Sequence, residues 1–382
     1  MDVEINDAPR GILSAPLEQT ENTATGTTIG TLSVQDADVG DTHTWSLVSG
    51  QLDNASFNLT TGGTLSNAVV FDYETKINYE IRVNVEDQGG LDYTQNFAVT
   101  VLDQNETPYG LTLSNNSQTE NRSIGTTIGT FTGLDVDQNE TFTYALTGSG
   151  NDNSSFTLTT AGVLKNAIVF NYESKNTYTI EVTVTDSGSN TYTDTFTINV
   201  LDVNETPTDI SLSNSSIDEN TPTGSTIGTF STTDPDSSNT FTYTLVNGVG
   251  DTNNDSFYID GAVLKSNEVF DYETKSSYTI RVRSTDQGGL YREESVTISI
   301  TNITVSGTVS VTDPSCHGGN GTISVTSQTG GDSPYTYSLN GITYQSSTSF
   351  VRSAGSYTVY IKDSNGEVGT VSATVTNPAD LS

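Results

Sequence analysis

The sequence predicts an all-β protein, in which tandem Ig-like Greek-key β-sandwiches form a linear rod and a small β-sandwich domain follows at the C-terminal end. A block of sequence recurs three times at a period near 100 residues, which is the size of one sandwich domain and too long for a solenoid unit. Apolar and polar residues alternate with the two-residue period of a strand. Thr, Ser, Val and Tyr are abundant, which is a composition typical of β-rich chains.

Two features mark the repeats. A glutamate returns every 99 residues, and a FDYETK or FNYESK motif follows it. The glutamates are Glu21, Glu120 and Glu219. Because this block defines one domain, we predict three repeats and a different last domain. The predicted segments are residues 10–107 for repeat 1, 108–206 for repeat 2, 207–304 for repeat 3 and 305–382 for the C-terminal domain.

The alternation of apolar and polar residues indicates about seven short strands in each repeat. In residues 178–184, Tyr, Ile and two Val lie on one face, and Thr, Glu and Thr lie on the other. Gly and Asn clusters such as Gly89-Gly90 mark the turns between strands. An odd number of strands places the two ends of a domain at opposite poles, so we expect the domains to join end to end.

Charge and composition exclude several classes of function. The chain has a formal net charge of −34, with 47 Asp and Glu against 13 Lys and Arg, which excludes nucleic acid as a partner because phosphates need cationic side chains. No apolar run approaches the ~18 residues of a membrane span, so we expect no membrane insertion.

Residues 1–9 do not resemble a signal peptide, and we interpret the chain as a segment of a longer protein. With one cysteine, Cys316, no disulfide can form within the chain, and a metal is the candidate stabiliser.

Acidic and amide side chains recur at the strand ends, where two sandwiches joined pole to pole would bring them together. At the first junction the candidate ligands are Glu21, Asp72, Glu74, Asp103, Asn105, Glu106, Asp135, Asp137 and Asp186. At the second junction they are Glu120, Asn171, Glu173, Asp202, Asn204, Glu205, Asp234, Asp236 and Asp286.

Eight carboxylates gathered at the first junction would repel one another unless cations were present. Carboxylate and amide oxygens without His or Cys favour a hard cation, and the number of ligands suits Ca²⁺ with its ~6–8 oxygens. We therefore predict two or three Ca²⁺ ions at each junction. The alternative is that Asp and Asn at strand ends only form turns. That alternative explains any single residue well, whereas the recurrence of the whole ordered set favours calcium.

The same residues carry a family resemblance. The set Glu-Asn, Asp-x-Asp, Phe-Asp-Tyr-Glu, Val-x-Asp-x-Gly-Gly and Leu-Asp-x-Asn-Glu-x-Pro resembles the calcium motifs of the cadherin repeat, in three copies over residues 10–302. The resemblance implies calcium ions between domains that stiffen the rod of a cell-surface adhesion protein. It also identifies residues 1–9 as the end of a preceding interdomain linker. An N-terminal half-site with room for one ion would then consist of Asn6, Asp7, Asp36, Asp38 and Asp87.

Two junctions depart from this pattern. Asn171 stands where repeat 1 has Asp72, which should weaken or remove one ion at the second junction. After repeat 3 the linker motif is lost, and Asn302, Thr304 and Val305 occupy its positions. We therefore predict a weak or absent calcium site there, and a flexible hinge before the last domain.

The C-terminal domain resembles a second family. Its Cys-x-Gly, Gly-Thr-Ile, Gly-Gly-x-x-Pro-Tyr-x-Tyr-Ser, Ala-Gly-x-Tyr-x-Val and Asp-x-Asn-Gly segments are similar to the SprB-type repeat of gliding-bacterium surface adhesins. The resemblance implies a secreted bacterial protein at the cell surface. Family members often carry a second Cys after Asn-Gly, where this chain has Glu367, so we expect Cys316 to be an unpaired thiol.

The sequence indicates no enzyme, because its two histidines, His43 and His317, belong to no catalytic motif. We predict a calcium-rigidified extender segment of an extracellular bacterial adhesin. We expect a monomer whose partners are neighbouring repeats of its parent protein and an unidentified cell-surface or glycan ligand. Two alternatives stay open: calcium-dependent homophilic adhesion, and a carbohydrate-binding module that uses tyrosines of the C-terminal domain. Those tyrosines are Tyr335, Tyr337, Tyr344, Tyr357 and Tyr360.

Overall fold

The computed structural model describes residues 5–379, which consist of strands, turns and three short 3-10 helices. Part of the predicted linker 1–9 and the end of the predicted C-terminal domain lie outside the described residues. The chain divides into two compact units, residues 1–202 and 203–382. The first unit contains repeats 1 and 2, and the second contains repeat 3 and the C-terminal domain. The prediction of an all-β chain of tandem sandwiches is confirmed.

The first unit is built from seventeen strands. Repeat 1 contains β1 (Gly11–Leu13), β2 (Leu17–Thr20), β3 (Thr28–Thr31), β4 (Ser33–Gln35), β5 (Thr44–Leu47), β6 (Phe57–Leu59), β7 (Thr64–Asn67), β8 (Asn78–Glu86) and β9 (Asp92–Leu102). Repeat 2 contains β10 (Gly110–Leu113), β11 (Ser117–Thr119), β12 (Thr127–Leu134), β13 (Thr143–Thr147), β14 (Phe156–Leu158), β15 (Val163–Asn166), β16 (Thr177–Thr185) and β17 (Thr191–Leu201). Single 3-10 turns lie at Asn54–Ser56 and Asn153–Ser155.

The second unit holds the remaining strands. Repeat 3 contains β18 (Asp209–Leu212), β19 (Ser216–Asp218), β20 (Thr226–Thr233), β21 (Thr242–Leu245), β22 (Phe257–Asp260), β23 (Val263–Ser266), β24 (Ser277–Thr285) and β25 (Tyr291–Thr301), with a 3-10 turn at Asn254–Ser256. The C-terminal domain contains β26 (Ser306–Thr312), β27 (Gly321–Thr329), β28 (Thr336–Ser338), β29 (Ser349–Arg352), β30 (Gly355–Lys362) and β31 (Val368–Val375).

Repeats 2 and 3 each have two sheets and repeat 1 has three, and the opening strand of every repeat is divided between two of them. In repeat 2 the sheets have the orders β10-β12-β15-β14 and β11-β17-β16-β13. The first half of the opening strand, β10, pairs antiparallel with β12, and its second half, β11, pairs parallel with β17. Repeat 3 has the same arrangement, and in repeat 1 a break at Leu32 also divides the second strand into β3 and β4. These divisions explain why eight or nine segments appear where about seven strands were predicted.

The core of each sandwich consists of the inward-facing side chains of both sheets. In repeat 2, Phe170 is 1% exposed, and its ring centroid lies 4.7 Å from that of Tyr178 and 5.5 Å from that of Phe156. Burying one such side chain contributes about 1.5–3 kcal/mol. Phe71 and Phe270 hold the same position in the other repeats. Since this Phe opens the FDYE motif, its burial fixes the acidic loop that follows it at one end of the sandwich.

The C-terminal domain packs two three-stranded sheets, β26-β27-β29 and β28-β30-β31, around its own core. Val305, the first residue predicted for this domain, is 5% exposed and belongs to that core. Cys316 is a free, exposed thiol, as expected. Within residues 5–379 no helix has the length and apolar character needed to cross a bilayer.

One prediction concerns two buried glutamines. Gln19 and Gln118 are 6% and 7% exposed, and neither amide atom of either side chain has a hydrogen-bond partner within residues 5–379. Repeat 3 has Ile217 at the equivalent register position, opposite Ile300. We expect Gln118→Ile to raise the free energy of unfolding of repeat 2 by about 1–3 kcal/mol, because it removes an unsatisfied buried amide. Urea denaturation measures the change. Ile217→Gln is the matched reverse substitution, and a stabilising effect of that change would contradict the explanation.

Candidate metal centre

The glutamate that returns every 99 residues is held rigidly at the first junction. Glu21 follows β2 directly and is 2% exposed. Its Oε1 accepts a hydrogen bond from the Gln104 backbone N–H at 3.0 Å, and its Oε2 accepts one from Tyr73 at 2.7 Å. The next residue, Asn22, has a φ of 55°, a left-handed conformation that Asn tolerates better than most residues. The Glu-Asn pair therefore ends the strand and turns the carboxylate inward.

Four carboxylates from repeat 1 and the linker converge on this position. Oxygen atoms of Glu21, Glu74, Asp103 and Glu106 all lie within 4.8 Å of one another. Asp72 lines a cavity of about 310 Å³ together with Glu21, Glu74 and Glu106, and its Oδ1 accepts a hydrogen bond from Thr75 N–H at 2.8 Å. The structure thus brings together the predicted ligands on the repeat 1 side.

Repeat 2 closes the same site from the other side. The Glu106 backbone N–H donates to Asp137 Oδ2 at 2.9 Å, and Asn105 Nδ2 donates to Asp186 Oδ2 at 2.8 Å. Asp135 lies in the same loop, where its Oδ1 accepts a hydrogen bond from the Asp137 N–H at 3.3 Å. All nine residues predicted for the first junction therefore lie at the contact between repeats 1 and 2.

Three buried oxygen atoms show that the site suits a cation. Glu106 Oε2, Asp135 Oδ2 and Asp137 Oδ1 are screened from solvent, and none of them has a hydrogen-bond donor among the described residues. Leaving a buried carboxylate oxygen without a partner is costly. The surrounding groups are carboxylates and amides, without His or Cys, which is the ligand set of Ca²⁺. These residues fit calcium, and the bound ion would supply the positive charge that the side chains lack.

The protonation of the carboxylates reflects the same crowding. Burial, together with the charges of Glu21, Asp137 and Glu74, raises the pKa of Glu106 to about 7. Burial and neighbouring carboxylates also raise the pKa values of Glu74 and Asp103. Without a cation, the first junction therefore holds protons that isolated carboxylates would lose.

The pKa of Asp186 is shifted in the opposite direction. Its burial acts to raise its pKa, but hydrogen bonds from Asn105 and Asn190 outweigh burial and hold the pKa below its usual range. Asp186 consequently stays ionised beside the cavity, where it orients the Asn105 side chain.

The residues predicted for the second junction are divided between the two compact units. In the first unit, oxygen atoms of Glu120, Glu173 and Asp202 lie within 4.8 Å of one another. Asn171 Oδ1 accepts a hydrogen bond from Ser174 N–H at 2.7 Å, as Asp72 does from Thr75. Asn171 thus preserves the loop and replaces a charged ligand by a neutral one.

The half in the second unit repeats the contacts of the first junction. Asn204 Nδ2 donates to Asp286 at 3.0 Å, and the Glu205 N–H donates to Asp236 Oδ2 at 2.8 Å. In the part of the chain that the structure describes, no donor reaches the buried Asp234 Oδ2 and Asp236 Oδ1, and burial raises the pKa of Asp234. This half has the same local features that suit a cation in the first junction.

The N-terminal half-site contains a ligand candidate that the sequence analysis missed. Asn6 Nδ2 donates to Asp87 at 3.0 Å, and the Asp7 N–H donates to Asp38 Oδ2 at 2.6 Å. Carboxylate oxygens of Asp36, Asp87 and Asp41 lie within 4.8 Å of one another. Asp41 was not predicted, although repeats 2 and 3 also carry an oxygen-bearing residue at this position.

The residues equivalent to Asp41 are Glu140 in repeat 2 and Asn239 in repeat 3.

His43 Nε2 lies 2.8 Å from Asp36 Oδ2, and this contact lowers the pKa of Asp36. His43, which belongs to no catalytic motif, therefore forms a polar contact with a predicted ligand.

At the junction after repeat 3, Glu219 keeps the geometry of Glu21 although the linker motif is lost. Its carboxylate accepts hydrogen bonds from Tyr272 N–H at 3.0 Å and Ile303 N–H at 2.7 Å. Carboxylate oxygens of Glu219, Glu273 and Glu367 lie within 4.8 Å of one another, and burial and these neighbours raise the pKa of Glu367 to about 7. The sequence did not predict that Glu367 reaches this junction. The weak or absent calcium site and the hinge remain predictions.

Comparisons with known proteins agree with the repeats found in the chain. The cadherin domain family matches residues 16–102, 115–201 and 213–304, and the SprB repeat family matches residues 308–343. Human protocadherin Fat 4 is 30% identical over 309 residues, which cover 75% of this chain and 6% of that protein. Human cadherin EGF LAG seven-pass G-type receptor 2 is 28% identical over 304 residues, covering 75% of this chain and 10% of the relative. The chain thus spans a tenth or less of these animal proteins.

Similar folds occur among solved structures. The protocadherin GammaB4 extracellular domain aligns with a TM-score of 0.59 and 18% identity, covering 99% of this chain and 68% of that one. Mouse cadherin-23 EC22-24 aligns with a TM-score of 0.57 and 19% identity, covering 78% of this chain and 100% of that one. At these identities the likeness concerns the fold.

A glycine beside the first junction generates one prediction. A Cβ at Gly188 would lie 2.5 Å from Asn105 Cγ, so only glycine lets Asn105 reach Asp186. We expect Gly188→Ala to weaken calcium binding about tenfold while repeat 2 stays folded, because the linker would be displaced. Isothermal titration calorimetry with Ca²⁺ measures the effect. Gly62→Ala, at an uncrowded turn, is the matched control, and equal affinities of the two variants would contradict the role of Gly188.

The raised pKa of Glu106 generates a second prediction. Between pH 4.5 and about 7 the folded, metal-free protein keeps a proton on Glu106 that the unfolded chain has lost, so stability falls as pH rises through this window and is level above it. After discounting for solvent screening, we expect a loss of about 1–2 kcal/mol from this group. Urea denaturation of the metal-free wild type and of Glu106→Gln at each pH isolates the contribution of Glu106 to the free energy of unfolding. Parallel curves for the two proteins would show that Glu106 does not titrate there.

Proposed function

Since the chain belongs to the cadherin family, whose domains act in calcium-dependent adhesion outside the cell, we propose that it is a calcium-rigidified extender segment of a secreted bacterial cell-surface adhesin. The observation that carries this proposal is the set of buried carboxylate oxygens without donors at the contact of repeats 1 and 2: Glu106 Oε2, Asp135 Oδ2 and Asp137 Oδ1. They belong to the linker and to repeat 2, so a cation that satisfies them couples the two.

The physical basis of stiffening is electrostatic. Without a cation, the charges of Glu21, Glu74, Asp103 and Glu106 oppose the approach of repeat 2, which adds Asp135 and Asp137. Bound Ca²⁺ reverses the sign of this interaction, and its binding free energy adds to the stability of the closed junction, by roughly 2.7 kcal/mol when free Ca²⁺ is 100-fold above its Kd. Two or three ions at each of two junctions, and one at the N-terminal half-site, would restrain the linkers.

The bacterial surface location rests on the SprB repeat at residues 308–343, which accompanies the cadherin domains. We further propose that the segment acts as a monomer and mechanically, holding a distal binding region away from the cell, and that it has no enzymatic activity. Repetition supports a stalk, because a ligand-reading site rarely needs identical copies. Calcium-dependent homophilic adhesion is a second candidate, favoured by the likeness of the chain to cadherin ectodomains.

Small-angle X-ray scattering in 5 mM Ca²⁺ and in excess EGTA tests the proposal. We expect a long, stiff particle in Ca²⁺ and a more variable one in EGTA, with circular dichroism showing unchanged β-structure in both. Identical scattering profiles would mean that the acidic loops are only solvated turns. A calcium-dependent doubling of mass at micromolar protein would favour homophilic adhesion.

Substitution of single predicted ligands tests whether the calcium-dependent stiffening arises at the first junction. We expect Glu106→Ala and Asp137→Ala to remove the calcium-dependent stiffening at the first junction without unfolding either sandwich. The Glu106 side chain lines the junction cavity, the Asp137 carboxylate accepts the Glu106 backbone N–H, and neither side chain belongs to a hydrophobic core. Asp194→Ala, which removes an exposed carboxylate in the middle of β17, is the matched control. Loss of all β-structure in the ligand variants would place the ions inside the domains and contradict the proposal.

A further inference from the structure

The C-terminal domain contains a surface groove that the calcium sites do not involve. It has a volume of about 430 Å³, within the range of small-ligand sites. It lies between the loop after β28, strand β29 and the start of β30. Its floor is apolar, formed by Leu339 and the buried ring of Phe350, and its rim carries Tyr357, Asn340, Gln345 and Arg352.

Of the five tyrosines in this domain, Tyr357 alone lines the groove. Tyr337 is buried, Tyr335 donates to the Gly330 and Gly331 carbonyls, and the Tyr344 ring lies 5.4 Å from the Lys362 ammonium. Tyr357 is half-buried, and its hydroxyl donates to Ser353 O at 2.9 Å, which fixes the orientation of the ring. The ring packs against the core of the domain and stays partly exposed, so its exposed part can contact the C–H side of a sugar.

Polar atoms at the rim remain available to a ligand. Asn340 Oδ1 is occupied by the Ile342 and Thr343 N–H groups, whereas its Nδ2 donates to no other described residue. Gln345 Nε2 donates to two carbonyls, which leaves its Oε1 as an acceptor. Arg352 donates to Val351 O and forms no ion pair within residues 5–379, although the chain has more than three acidic residues per basic one. The rim thus offers both donors and an acceptor, which is what vicinal hydroxyl groups require.

Charge decides between neutral and acidic sugars. Among residues 5–379 no acidic residue lines the groove, but the chain as a whole carries −34, and such a field disfavours the approach of a polyanion. Uronate-rich or sulfated glycans are therefore poor partners. We propose that this groove binds a neutral pyranose unit of a glycan, with Tyr357 stacking on the ring and Arg352, Asn340 and Gln345 bonding its hydroxyls.

A printed array of neutral and acidic glycans, probed with the full chain, tests this inference. We expect binding to neutral glycans that is equal in Ca²⁺ and in EGTA, since no calcium ligand lines the groove. Failure of the stiffening experiment would leave this result unchanged, so the two proposals are tested separately. Absence of any binding, binding to acidic glycans alone, or loss of binding in EGTA would overturn the assignment.

Two variants place the binding in the groove. We expect Tyr357→Ala and Arg352→Gln each to weaken binding to the strongest neutral glycan about tenfold, and Tyr258→Ala, an exposed tyrosine in repeat 3, to leave it unchanged. Arg352 is exposed, so its substitution reports on binding even if Tyr357→Ala impairs folding. Unchanged affinity of Arg352→Gln, or equal loss in Tyr258→Ala, would show that the glycan binds elsewhere.

Discussion

The burial of carboxylates without counter-charges is the constraint on which the junctions depend. Glu21 is nearly inaccessible to solvent, yet it faces Glu74, Asp103 and Glu106 across distances of a few ångströms. Two backbone N–H groups stabilise Glu21 itself, but no donor within residues 5–379 reaches Glu106 Oε2, Asp135 Oδ2 or Asp137 Oδ1. The junction is therefore incomplete as protein alone, and protons or cations must enter it.

The sandwich fold makes this arrangement possible because it delivers distant segments to one end. The divided first strand ends at Glu21, the buried Phe71 fixes the acidic loop beside it, and β9 runs directly into the linker that holds Asp103 and Glu106. Side chains more than 80 residues apart thereby meet through backbone hydrogen bonds. The strand order that packs the core therefore also sets the geometry of the site.

Much of this was predictable from the sequence, because the repeats act as internal comparisons. The period, the alternation and the recurring oxygen ligands predict the domains and bring the nine residues of the first junction together. Asp41 was missed because its counterparts are Glu140 and Asn239, so no single residue type recurs. The contact of Glu367 with Glu273 could not be predicted, since it joins two unrelated domains and has no periodic signal. The unsatisfied Gln118 is likewise visible only once its neighbours are known.

Differences between the repeats also separate structural from metal-binding roles. The buried position occupied by Gln19 and Gln118 becomes Ile217 in repeat 3, whereas the glutamate two residues later is retained even where the linker motif is lost. Glu219 keeps both of its backbone hydrogen bonds there. The recurring glutamate thus stabilises the loop independently of calcium, and removing it would disturb folding and metal binding together. The Glu106 side chain accepts no backbone N–H within residues 5–379, so its substitution isolates the contribution of the ion more cleanly than substitution of Asp137, which also accepts the Glu106 backbone N–H.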